Sequence, residues 1–150
     1  MALVSNSLLP MIQLAITPVI LITGLGSLML TMTNRLGRIV DRTRVLAGQA
    51  RSATGEERVH VESQLRILFR RAKLVRMAVS LATLSMFVSG LLVVVIFLSA
   101  LLGIDAALAI LMLFVAAITL LLGALGFFLR DINVTLSALR LEVRRALPEE

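Results

Sequence analysis

Hydrophobic residues dominate three long stretches of the chain, and Asp, Glu, Lys and Arg are absent from each of them. The stretches cover residues 1–34, 77–104 and 106–129. A helix needs about 20 predominantly apolar residues to cross a hydrocarbon core about 30 Å thick. All three stretches reach that length, so the sequence predicts transmembrane helices at about residues 9–33, 77–103 and 106–129.

The segments that flank these spans also have a helical pattern. Apolar positions recur about every 3.5 residues before the second span and after the third, which is typical of helices packed in a left-handed bundle. A break is expected at residues 52–55, where Thr54 and Glu57 have the spacing of a capping box. We therefore predict an all-α integral membrane protein, in which three long antiparallel transmembrane helices extend into a cytoplasmic helical bundle.

The distribution of charge predicts the orientation. Residues 35–76 contain eleven Lys and Arg against four Asp and Glu, whereas Asp105 is the one charged residue between the second and third spans. Cytoplasmic loops of membrane proteins carry the excess of Lys and Arg. In a single membrane domain of residues 1–150, we expect the N-terminus outside, a cytoplasmic helical hairpin at 35–76 and a cytoplasmic C-terminal helix at 130–147.

Polar residues recur along one side of the first predicted helix, and we call this set the polar stripe. Its members are Gln13, Thr17, Gly24, Ser27, Thr31, Asn34, Arg38 and Asp41. In one interpretation these side chains bond to neighbouring helices of the same chain. In the other, copies of the helix surround an axis and the stripe lines a water-filled pore. The second interpretation requires a homo-oligomer, because three helices cannot enclose a pore.

Basic residues are frequent where the first span ends and the second begins. We predict that a set of them binds anionic lipid headgroups and fixes the depth of the helices. The set consists of Arg35, Arg42, Arg44, Arg70, Arg71, Lys73 and Arg76. Small residues within the second and third spans predict the contact between those spans, because close approach drives helix association in lipid. They are Ala78, Ala82, Ser85, Ser89, Ser99 and Gly103 in the second span, and Ala109, Ala116 and Gly123, with Gly126 beside them, in the third.

Two functions remain open at this stage. The polar stripe and the lack of charge within the spans favour a homo-oligomeric, channel-like protein, since proton-coupled transporters usually place ionisable groups in the membrane. The alternative is a non-catalytic scaffold whose cytoplasmic helices bind a partner protein. That alternative depends on apolar residues at bundle spacing, namely Leu65, Leu68, Leu136 and Leu139.

The sequence offers no chemistry for an enzyme. Cysteine is absent and His60 is the one histidine, so we predict no catalytic constellation, no metal site and no cofactor. The net charge of +6 is compatible with nucleic acid. Six Phe, most of them in or beside the spans, provide no stacking platform for bases, so we expect no nucleic-acid partner.

Residues 16–46 resemble a family of bacterial membrane proteins known as domain of unknown function 2721. The resemblance depends on Thr17-Pro18, on the step Thr33-Asn34-Arg35 and on the segment Val40-Asp41-Arg42-Thr43-Arg44. It implies a small multi-pass protein of the bacterial inner membrane. No activity follows from it.

Overall fold

The computed structural model of the chain consists of three helices. They are α1 (Ala2–Ser52), α2 (Gly55–Leu102) and α3 (Ala107–Ala146). The structure describes residues 2–146, with side chains for residue 13 and residues 16–136. Residues 2–146 contain no strand, and each helix includes a segment long and apolar enough to cross a membrane. The all-α class is therefore confirmed, as are three helices of the length and apolar character expected of a multi-pass membrane protein.

The break between α1 and α2 lies where the sequence predicts it. α1 ends at Ser52, Ala53 donates its backbone N–H to the carbonyl of Gln49 at 3.0 Å, and α2 begins at Gly55. Gly55 has a φ of 61°, a value that residues with a Cβ rarely adopt. The glycine therefore allows the chain to leave one helix and enter the next within two residues.

The link between α2 and α3 is equally short. Gly103 has a φ of 65°, and Ile104 donates its N–H to the carbonyl of Ser99 at 3.1 Å, as in a Schellman motif. Asp105 then accepts a hydrogen bond from the N–H of Ala107 at 3.1 Å and caps the start of α3. The one acid between these spans thus satisfies a helix end.

Buried residues recur at intervals of seven on all three helices, and each is at most 8% exposed. Such an interval keeps one face of a helix against its neighbours over many turns. On α1 they are Leu25, Met32, Ile39 and Leu46, followed by Ala53 directly after the helix end; on α2 they are Val61, Leu68, Val75, Ala82, Ser89 and Ile96, and on α3 Ala117, Ala124 and Asp131. The predicted rhythm is confirmed before the second span, whereas after the third span Leu136 is exposed and the later positions lie outside the described side chains.

The chain divides into two compact units, which we describe separately. The first comprises Met1–Leu30 and Ser80–Gly123. In this unit Ser85 is fully buried and donates its hydroxyl to the carbonyl of Ala117 at 2.8 Å, while Ser89 donates to the carbonyl of Ser85 at 2.9 Å. These serines occupy the small-residue face that the sequence predicts on the second span.

The predicted small face of the third span is wrong at Ala109 and Ala116, but Gly123 does lie close to α2, since a Cβ there would be 3.3 Å from Cδ1 of Leu81. Ala117 and Ala124 are fully buried, whereas Ala109 and Ala116 are exposed. The physical reason lies further along α3. Because Asp131 is also buried, seven and fourteen residues after the two alanines, the helix must turn the row of Ala117 and Ala124 inward.

The second unit comprises Thr31–Val79 and Ala124–Glu150. Its apolar core lies between the second half of α1 and the first half of α2 and contains Ile39, Leu46, Val61, Leu68 and Val75. Leu65 packs against the same core. Full burial of one such side chain from water contributes about 1.5–3 kcal/mol, so these contacts stabilise the second unit.

Candidate functional site

A buried carboxylate is the most unusual polar feature of the second unit. Asp131 lies on the inward row of α3 and is 0% exposed. Among the side chains that the structure describes, it is the one charged group that is buried. Transfer of a carboxylate out of water costs several kcal/mol unless partners compensate it, so the neighbours of Asp131 decide whether this position is tolerable.

Two arginines from the other helices meet this carboxylate. Nη1 of Arg35, on α1, lies 3.2 Å from Oδ2 of Asp131, and Nε of Arg71, on α2, lies 3.3 Å from Oδ1. The ring of Phe128, one turn before Asp131 on α3, lies 5.3 Å from the guanidinium carbon of Arg35. We call these four residues the Asp131 cluster. It joins α1, α2 and α3 through charged groups.

Within the cluster the carboxylate is buried, whereas the two arginine side chains are partly exposed. The side chains of Arg35 and Arg71 are 30% and 21% exposed, while that of Asp131 is inaccessible. Two cations therefore compensate one anion and leave a formal charge of +1. Thr135 donates its hydroxyl to the backbone carbonyl of Asp131 at 2.9 Å, which holds the adjacent turn of α3.

The basic residues predicted as headgroup anchors fall into two groups. Arg35 and Arg71 belong to the Asp131 cluster and are half-buried. The other five are exposed, namely Arg42, Arg44, Arg70, Lys73 and Arg76. Their binding to lipid headgroups stays a prediction, and the cluster adds a second role for the two half-buried arginines.

The polar stripe lies on the exposed side of α1. In the first unit its members Gln13, Thr17, Gly24 and Ser27 are all exposed. In the second unit the same holds for Thr31, Asn34, Arg38 and Asp41. The buried row of α1, which includes Leu25 and Met32, lies on another face of the helix. All eight stripe residues therefore retain exposed surface in the part of the chain that the structure describes.

One apolar residue interrupts the stripe. Ile20 lies seven residues from both Gln13 and Ser27, so at 3.6 residues per turn it shares their face. Its side chain is 66% exposed. Between Thr17 and Gly24 the face thus has one large apolar residue with polar residues on both sides.

The spacing of residues in the sequence did not identify Asp131 or Phe128 as site residues. One signal was available, because Asp131 is an acid placed at the end of a long uncharged stretch, next to the basic region. The partners of Asp131 lie 96 and 60 residues away, and no local pattern connects them.

The structure offers little for a metal. Between residues 13 and 136, the side chains that it describes form no group of three or more His, Asp and Glu that could hold an ion. His60 is exposed, and its Nε2 lies 3.0 Å from Nε2 of Gln64 on the next turn.

Comparison with known proteins identifies one family. A family model described as "Protein of unknown function (DUF2721)" matches residues 15–141. This match contains the segment from which the resemblance was inferred, and it extends through α2 and most of α3. No curated protein and no solved structure matches the chain.

Proposed function

Because the chain belongs to the family of proteins of unknown function DUF2721, we propose a function from its own geometry. We propose that it is a homo-oligomeric membrane protein of channel-like character. In this proposal, copies of α1 surround a common axis and the polar stripe lines a water-filled path along it. The orientation follows the charge distribution, with residues 35–76 in the bacterial cytoplasm and the outer turn at Asp105 on the opposite side of the inner membrane.

The observation that carries the proposal is the exposure of all eight stripe residues. A polar side chain that faces lipid loses its hydrogen bonds to water, and such residues usually face a bundle interior or a water-filled cavity. Among the residues that the structure describes, the stripe keeps its exposure in the folded chain. A second copy of the chain, together with water, would cover this polar face.

The distribution of charge supports a passive path. No ionisable side chain lies within residues 77–104 or 106–129, and in the first span ionisable side chains begin only at Arg35. Proton-coupled transporters place titratable groups in the membrane. Arg38 and Asp41 would lie at the cytoplasmic mouth, where charged rings affect which ions enter.

A second candidate function is a scaffold that binds a cytoplasmic protein. Leu65 and Leu68 do not support it, since both belong to the core of the second unit. Leu136 is 53% exposed, and Leu139 lies outside the described side chains. Three other apolar residues of the 35–76 segment favour it, because Val45, Val59 and Phe69 are 62%, 69% and 73% exposed.

The decisive experiment determines the number of chains in the oligomer and measures the ion current that the oligomer conducts. Native mass spectrometry of the protein in lipid nanodiscs should show a closed oligomer of at least four copies. The same preparation should conduct ions in planar bilayers, and Asn34→Leu at the mouth should lower the conductance. Leu30→Ala, on a lipid-exposed position beside the stripe, is the control and should leave conductance unchanged. A monomer in nanodiscs, or bilayers that stay silent under all ions and voltages, would exclude the channel.

A different result of these experiments would support the scaffold function. If the chain is monomeric and silent but one soluble protein co-purifies at equal stoichiometry, and Phe69→Ser abolishes that binding, the second function replaces the first. A reporter fused to the C-terminus should be active only in the cytoplasm in either case.

A further inference from the structure

The Asp131 cluster has more positive than negative charge, and the excess lies on its accessible side. Its carboxylate is inaccessible, whereas Arg35 and Arg71 retain 30% and 21% of their side-chain exposure. An ion cluster that served only to neutralise a buried acid would need one cation. Here two guanidinium groups are held beside each other, and both reach the surface.

The arginines are held in a way that leaves donors for another acceptor. Arg35 contacts the carboxylate through Nη1 and Arg71 through Nε. A guanidinium has five N–H donors in a planar fork, so one contact to Asp131 occupies only part of each group. The ring of Phe128 faces the guanidinium of Arg35 at 5.3 Å, within the range of a cation–π contact that favours this placement. Two donors fixed before a ligand arrives bind it with a smaller loss of entropy.

The position along the helices indicates the ligand. Arg35 is the first charged residue after the uncharged stretch 1–34, and Asp131 is the second after the stretch 106–129. Under the membrane placement given above, this is the depth of the lipid phosphates. Planar guanidinium groups match the oxygen geometry of phosphate, which they bind through two parallel N–H···O bonds.

We propose that Arg35 and Arg71 together form a binding site for one phosphate group, and that Asp131 is the positioning residue that holds the two guanidiniums side by side. The phosphate would come from an anionic phospholipid of the adjacent leaflet or from a soluble phosphate compound. This inference rests on the proposed function in one respect, because it uses the proposed orientation in the membrane to place the site at the depth of the lipid phosphates. It requires neither an oligomer nor a pore.

The test uses the full chain in detergent micelles and native mass spectrometry. Phosphatidylglycerol is titrated in one series, and phosphatidylcholine and inorganic phosphate in two others. Loss of a charge-assisted hydrogen bond corresponds to at least about a tenfold loss of affinity, so Arg71→Gln and Arg35→Gln should each weaken phosphatidylglycerol binding by about tenfold. Arg66→Gln is the matched control, since it removes an equal charge from an exposed position of the same helix that is not among the predicted headgroup anchors. It should leave the titration unchanged.

Each outcome decides the proposal. Equal losses for Arg66→Gln and Arg71→Gln would overturn it, because general surface charge would then explain the binding. Displacement of phosphatidylglycerol by inorganic phosphate supports a site that accepts either source, and binding of phosphatidylglycerol alone supports a lipid site. Binding of phosphatidylcholine as strong as that of phosphatidylglycerol, with no effect of either arginine variant, would overturn it as well.

Asp131→Asn separates positioning from charge. This change raises the formal charge of the cluster from +1 to +2, so simple attraction predicts tighter phosphate binding. The positioning role predicts binding several-fold weaker than in the unchanged chain, and equal or tighter binding would overturn it. If Arg71→Gln does not fold, as judged by circular dichroism, Arg71→Lys keeps the charge and removes the fork, and it should also bind several-fold more weakly. Phosphate binding by a chain that proves silent in bilayers would retain this site and reject the channel.

Discussion

Ser85 on α2 donates its hydroxyl to the backbone carbonyl of Ala117 on α3 at 2.8 Å, and both residues are fully buried. Backbone carbonyls of a helix already accept a bond from within the helix, and each has a second lone pair. The Ser85 hydroxyl therefore joins two apolar helices through the backbone carbonyl at position 117, which every residue type has. This contact tolerates sequence change on α3 provided that the side chain at 117 remains small.

Removal of the Ser85 hydroxyl should weaken the helix contact moderately. Hydrogen bonds between membrane helices average about 0.6 kcal/mol and reach about 1.7 kcal/mol, so Ser85→Ala should lower stability within that range. Ser85→Leu should cost more, about 1–3 kcal/mol, because it overpacks a filled position. Thermal unfolding in detergent, followed by circular dichroism, measures both. Thr119→Ala is the control, since that hydroxyl bonds to the carbonyl of Val115 in its own helix. An equal loss for Thr119→Ala would contradict the assignment.

Loss of both arginines should expose the cost of the buried acid. In the double variant Arg35→Gln with Arg71→Gln, Asp131 keeps its place in the core without a cation, and we expect a loss of about 3–5 kcal/mol. Addition of Asp131→Asn removes the uncompensated charge and should restore most of the stability. Chemical unfolding of the three proteins in the same detergent checks this. A triple variant less stable than the double variant would show that Asp131 contributes through something other than its charge.

Cysteine accessibility should distinguish the stripe from the lipid-facing side of α1. The chain has no cysteine, so single substitutions carry no background. Thr17 and Val19 are both exposed and lie about 200° apart around the helix at 3.6 residues per turn. A charged, water-soluble thiol reagent should modify Thr17→Cys in intact membranes and leave Val19→Cys unmodified. Equal labelling at both positions would contradict a water-filled path along the stripe.

Ile20 should form a hydrophobic constriction in the proposed water-filled path. Apolar constrictions resist wetting and so oppose ion passage, and Ile20 is the large apolar residue on the stripe face between Thr17 and Gly24. Ile20→Ser should therefore raise the current in planar bilayers or the fraction of time the channel is open. Val19→Ser changes a similar residue on another face and should have no such effect. Unchanged current in Ile20→Ser would remove Ile20 from the path.

Glycine positions on α3 should differ in their tolerance of larger residues. A Cβ built at Gly123 would lie 3.3 Å from Cδ1 of Leu81, whereas one at Gly126 would meet nothing within 4 Å. Gly123→Val should lower stability by about 1–3 kcal/mol through overpacking. Gly126→Val should change it little in the monomeric chain, and thermal unfolding of both variants provides the comparison. If Gly126→Val alone prevents oligomer formation, that face of α3 contributes to contacts between copies.

Much of the fold could be predicted because the relevant signals are local. Uncharged stretches define the spans, and the break at residues 52–55 follows from Thr54 and Gly55. The inward face of α3 could not be predicted, because two neighbouring rows have small residues seven apart. Ala109 and Ala116 define one row, and Ala117 and Ala124 define the other. Only the burial of Asp131 decides between them.

The candidate site was predicted in part for the same reason. The polar stripe belongs to one helix, so its spacing was visible in the sequence. The Asp131 cluster forms from residues of three helices that are distant in sequence. Only the tertiary structure shows that they lie close together. Arg35 and Arg71 were recognised as basic residues near the membrane surface. That a single acid pairs with both could be seen only in the folded chain.

The seven-residue recurrence of buried positions has a consequence for alignment. A helix in such a bundle could slide along its neighbours by one repeat, about 10 Å at 1.5 Å per residue, and again present apolar residues to apolar residues. On α3 the positions one repeat before and after Asp131 are Ala124 and Ala138, so a slid helix would carry its carboxylate away from both guanidiniums. Because Asp131 is the one acid in an otherwise repeating row, its ion pairs with Arg35 and Arg71 form in only one axial register of the helices.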